Sequence, residues 1–202
     1  MDGAHGLSRG ALVRRAALGS AGALLGSSVG LVDAPTAAAA IPDGDLAYLR
    51  VLLALELLMA DFEAQALAIG KLGPHSAALM KRVRGDDLAH GAGLSVLLTG
   101  AGQTPTTADD IDFSYPKQSF SSQGAIVKLG SSLSRLALGA YLGAVEKLET
   151  SQLRGPLAQI AANEAQHLSA FAQLQGRPLV GKAFAASLPL EVVSTELDRY
   201  ES

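Results

Sequence analysis

Apolar residues recur at helical spacing along four long stretches of this chain, and the polar residues that interrupt them carry as much information as the pattern. The first stretch covers residues 45–69 and ends at Gly70, a usual helix stop. The second starts near Pro74, runs to residue 98 and is closed by Gly100; the third covers residues 123–148. The fourth covers residues 151–174 and stops at Gly176. Residues 190–200 are one more short helical candidate, expected to cap the bundle. No segment alternates as a strand would. Short connections follow the first and third helices, which predicts two antiparallel hairpins. The polar segment 102–121, rich in Pro and Thr, is long enough to cross from one hairpin to the other. The expected fold is therefore all-α: a four-helix bundle over residues 41–176, followed by a tail over 177–202.

Three of the four seams are broken by acids or imidazoles. The fourth helix reads Leu153, Leu157, Ile160, Glu164, His167, Phe171, Leu174, with Glu and His one turn apart on the buried side. The second reads Met80, Val83, Asp87, His90, Leu94, Leu97, and repeats the acid-to-histidine step of three. On the first, Glu56 stands in the stripe Leu49, Leu52, Glu56, Met59 and is the only charge between Arg50 and Asp61. Folding the first hairpin about a turn near residue 72 brings Glu56 roughly level with residue 88, between Asp87 and His90. Taken singly, each acid–histidine pair reads as a hydrogen-bonded couple on a partly solvated face. Together with a central Glu on a third helix, the two pairs predict a metal site of five ligands: Glu56, Asp87, His90, Glu164 and His167. An ionised carboxylate in an apolar interior needs a cation or a proton, and a metal ion supplies the cation.

These residues resemble the ferritin-like di-iron carboxylate proteins, and most closely the bacterial ferritin-like domain proteins that carry export signals. The likeness lies in LALELLMADF at residues 53–62, AYLGA at 140–144 and, most specifically, IAANEAQH at 160–167. It implies a ferritin-like bundle whose full ligand set is one Glu on each of two helices and Glu-x-x-His on the other two. Carried over, Glu56 is a terminal ligand, Glu164 a bridging one, His90 and His167 supply nitrogens, and Asp87 stands where Glu is expected. The third helix departs from this pattern. Residues 113–145 contain no acid, and Ser134 occupies the position nearest the family's Glu. Glu146 lies ~12–18 Å further along the helix and reads as a surface residue. Glu63, two turns from Glu56, reads as a salt-bridge partner of Lys81 and Arg84. Tyr141 reads as core, and His75 as a solvated loop residue.

Composition narrows the chemistry. Cysteine is absent, so any metal must be held by oxygen and imidazole nitrogen, which suits iron, manganese or zinc. The resemblance selects iron or manganese. A net charge of −3 without a basic cluster in the folded part excludes a nucleic-acid role. Residues 1–40 read as a signal peptide: Arg14 and Arg15, an uncharged run over residues 16–32, then Asp33, Pro35 and the small-residue tract 37–40. The arginine pair resembles a twin-arginine export signal. Cleavage after Ala40 leaves a mature chain starting at Ile41 with no stable membrane span, located in the periplasm, cell envelope or medium. A retained anchor is the alternative, although 17 residues with four glycines are short for a spanning helix of ~20.

The expected partners are a metal ion and the export machinery; assembly with further copies is left open. Three functions compete: a metal centre reactive toward oxygen or peroxide, a simple metal store, and a non-catalytic envelope protein acting in binding or stress protection.

Overall fold

A computed structural model describes residues 40–201; the leader expected over residues 1–40 lies, but for its last residue, outside the described part. Five α-helices follow in order: α1 (Asp43–Ala68), α2 (Pro74–Gly100), α3 (Gln123–Lys147), α4 (Ser151–Leu174) and α5 (Leu190–Leu197). The described residues form no strand, only a single bridge between Phe113 and Glu201. No described helix is long and apolar enough to cross a membrane. α1 packs along α2 and α3 along α4, and the hairpins join chiefly through α1 on α3, with α2 touching α4 more narrowly. This is the expected pair of hairpins linked by a long crossover.

Local chemistry fixes where each helix begins and ends. Pro74 opens α2, where its missing N–H costs nothing. Ser122 caps α3 by accepting the N–H of Ala125 at 3.2 Å. Gly70 and Gly176 take left-handed backbone (φ 70° and 63°) after α1 and α4, as their positions predict. The stop of α2 is Gly102 (φ 72°) rather than Gly100, which remains helical. There the N–H of Gln103 bonds the Leu98 carbonyl and that of Gly102 bonds Thr99, so the cap falls two residues later than the apolar pattern suggests. The buried seam of α2 accordingly ends on Leu98 and leaves Leu97 half-buried.

Asp45, in the first turn of α1, reaches across to the start of α4. Its carboxylate accepts the N–H groups of Glu149 and Thr150 at 2.9 and 2.7 Å, which a helix N-terminus leaves unpaired. The contact ties the two hairpins together at one end of the bundle. The tail lies along the flank instead of capping an end. The N–H of Leu188 bonds the Gly139 carbonyl at 2.9 Å, and a Cβ at Gly143 would meet the Leu188 carbonyl oxygen at 2.0 Å. α5 then buries Val193 and Leu197 beside α1 and α3, and Tyr200 closes on Tyr115. The small residues of α3 are what let the chain lie this close.

Candidate metal centre

The centre of the bundle holds a layer of polar side chains inside an otherwise apolar core. Glu56, Asp87 and Glu164 are each at most 1% exposed, His167 is 4% exposed, and only His90 reaches towards the surface. The structure brings all five predicted ligands together. His90 Nδ1 lies 3.5 Å from Glu56, 3.7 Å from Asp87 and 3.4 Å from Glu164. His167 Nδ1 lies 3.5 Å from Asp87 and 3.3 Å from Glu164. Asp87 and Glu164 thus stand between the two imidazoles, whose ring centres are 6.3 Å apart. One ligand atom from each of Glu56, Asp87, His90 and Glu164 falls within 4.8 Å of the others.

The test of fit is what these atoms bond to without an ion. Seven side-chain atoms of the five residues are buried and have no hydrogen-bond partner: Glu56 Oε2, both oxygens of Asp87 and of Glu164, and Nδ1 of each histidine. Buried polar atoms are nearly always paired, so seven orphans around one point indicate a missing cation rather than a packing accident. The titration directions carry the same strain. Burial pushes the carboxyls of Glu56 and Asp87 up, and neighbouring acids push Asp87 further. Burial also opposes charge on His90, but the carboxylates of Glu164 and Glu56 at 3.4 and 3.5 Å outweigh it and raise the imidazole to about 10.

Sequence reasoning missed three residues at the edge of this layer. Asp86 accepts from His167 Nε2 at 3.3 Å and is itself held by Arg82 at 3.2 Å. That carboxylate turns Nδ1 of His167 inward, the usual outer partner of a metal-bound imidazole. A second acid beside Asp87 was the available signal, but surface acids are too common for it to be decisive. Tyr141 is core as expected, yet its hydroxyl also donates to Glu56 Oε1. Glu63 forms no salt bridge with Lys81 or Arg84: it is 1% exposed and its carboxyl lies beside that of Asp87, while Arg84 donates to the Ala60 carbonyl. Ser134 is buried with its Oγ unpartnered, so α3 brings no carboxylate to the layer. Glu146 is exposed beside Lys147, as predicted; His75 is solvated as expected, but in the first turn of α2 rather than in a loop, because the helix already starts at Pro74.

The model of the ferritin-like domain family matches residues 44–177, two thirds of the chain and the whole of the bundle. The chain belongs to the ferritin-like domain family. A search of curated proteins finds no match to it. For a ferritin-like bundle the layer lies where that architecture builds metal sites, between facing helices in the core. A cleft of about 210 Å³ leads to it from the side, between α1 and α2 under residues 106–108, and reaches Glu56 and Asp87 past Leu57, Leu88 and Gly91.

Proposed function

We propose that this protein is an exported ferritin-like metal protein that holds iron or manganese through Glu56, Asp87, His90, Glu164 and His167. The observation that carries the reading is the set of seven orphaned buried atoms facing one another. A layer dominated by carboxylates suits these harder, higher-coordinate ions better than zinc, which prefers four tetrahedral ligands. Bound there, such an ion would supply redox chemistry toward oxygen or peroxide. The chain's own residues set the terms of access and charge. Tyr141 fixes one oxygen of Glu56, Asp86 orients His167, and the cleft beside Gly91 borders Glu56 and Asp87. Export rests on the leader that resembles a twin-arginine signal, with Ile41 as the mature N-terminus.

A second reading, a non-catalytic envelope protein, draws on the acid-free α3 and the Ser134 position. One preparation separates the two. Mature protein isolated from the envelope fraction of iron-replete cells should begin at Ile41 and contain stoichiometric iron or manganese. Protein that is metal-free, and takes up none on soaking, overturns the metal reading. Oxygen consumption on adding ferrous iron then separates a reactive centre from a store.

A further inference from the structure

Glu63 is the one acid in the bundle core that the five-residue site leaves without a task. It sits on α1 seven residues after Glu56, hence on the same face two turns along. It is 1% exposed, its Oε2 has no partner, and its carboxyl lies beside that of Asp87, which itself faces both imidazoles. A buried acid aimed at another buried acid is an expensive way to fill space, because neither offers the other a charge to pair with.

Its place along the bundle gives it a meaning. The contacts of Asp45 with Glu149 and of Tyr141 with Glu56 fix α1 antiparallel to α3. Continuing that register brings Glu63 level with about residues 131–134 of α3. These are small residues, Ser131 and Ser134 both buried, beside Gly130, where a Cβ would meet the Phe171 ring at 2.7 Å. The layer therefore lacks an acid on α3 and gains one on α1 at the same height.

We infer that Glu63 is a sixth ligand, replacing from α1 the carboxylate that α3 lacks, and that the layer holds two divalent ions. This rests on the five-residue reading and extends it. The groups divide accordingly. Glu56 accompanies His90 at 3.5 Å, Glu63 reaches the layer through Asp87, and Asp87 and Glu164 lie between both histidines. Four carboxylates, Glu56, Glu63, Asp87 and Glu164, carry as much negative charge as two divalent ions cancel. A single ion would leave two of these carboxylates to be neutralised by protons or by the imidazoles.

The test counts ions on the full-length protein. Equilibrium dialysis against Mn(II) followed by elemental analysis should give two ions per chain, and the electron paramagnetic resonance signal should be that of a coupled pair. Glu63→Gln keeps the shape but removes the charge, and should hold one ion and show the sextet of an isolated Mn(II). Circular dichroism verifies that the variant is folded. One ion in the unaltered protein, or two in Glu63→Gln at unchanged affinity, overturns the inference. The failures are distinguishable: one ion that is lost on His90→Ala removes only the second ion, whereas no ion at all removes the five-residue site as well. Should the variant not fold, the stoichiometry and the coupling in the unaltered protein still decide.

Discussion

Asp45, at one end of the bundle, is shielded from solvent as the acids of the central layer are, though far less deeply embedded, and its carboxyl shifts the opposite way from most of theirs. Burial pushes the Asp45 carboxyl up, but the Thr150 hydroxyl, the N–H groups of Glu149 and Thr150 and the charge of Arg154 more than reverse this, holding it below the usual carboxylate range. In the central layer desolvation dominates at Glu56, Glu63 and Asp87, which are raised, whereas at Glu164 it is outweighed by the imidazoles of His167 and His90, which hold that carboxyl below its usual range. The difference is the partner. Asp45 meets donors that the fold must satisfy anyway, at the start of α4. The central acids meet one another and two imidazoles. Burial of an acid is therefore no sign of a metal; burial with oxygens left unpaired is.

The sharpest way to break this comparison is to take the nitrogens from the central layer. His90→Ala with His167→Ala should reduce bound metal from stoichiometric to trace, measured by elemental analysis. The melting temperature should then stop responding to added metal. For an ion present at about a hundred times its dissociation constant, that response is worth ~2.7 kcal/mol, or roughly 5–10 °C in a chain of this size. A double variant that still binds and still gains stability would put the ion elsewhere. Asp86→Asn sharpens the same point less drastically. Asp86 touches no other ligand than His167, so losing its charge should loosen the imidazole and weaken metal binding ~10–100-fold without changing the number of ions. An unaltered affinity would mean that packing alone orients His167.

The two regions also differed in how far the chain revealed them. Seam periodicity placed Glu56, Asp87, His90, Glu164 and His167 on buried faces, because a helix repeats every 3.6 residues and a charge on its apolar stripe stands out. The hairpin register then set them at one height. What periodicity could not supply was the identity of partners across helices. Asp86 and Asp87 are neighbours in sequence, and only the packing of α2 on α4 decides that one enters the layer while the other reaches His167 from outside. Glu63 was assigned to the basic residues of α2 because they lie at its level; their side chains turn elsewhere, and Arg84 bonds the backbone of Ala60 instead. Asp45 gave no signal, since an acid in the first turn of a helix is ordinarily there for its own helix dipole, not for the start of another helix.

Asp45 supplies the smallest effect and the cleanest control. Asp45→Ala strands two backbone N–H groups and should destabilise the bundle by about 1–2 kcal/mol, the usual worth of a charged cap. Metal content should not change. Asp45→Asn keeps an acceptor and should cost less. The pH dependence identifies the charge as the cause. With the folded pKa below the unfolded value of about 3.9, the contribution of Asp45 is fully present above that pH and is lost as pH falls through the folded value. The gap in melting temperature between the unaltered chain and Asp45→Asn, both stripped of metal, should therefore be widest near neutrality and close towards pH 3 and below. A gap that persists in acid would mean that Asp45 acts by shape alone. A loss of metal in either variant would mean that the end of the bundle and its centre are one mechanical unit, and the contrast between a structural acid and a ligand acid would no longer hold.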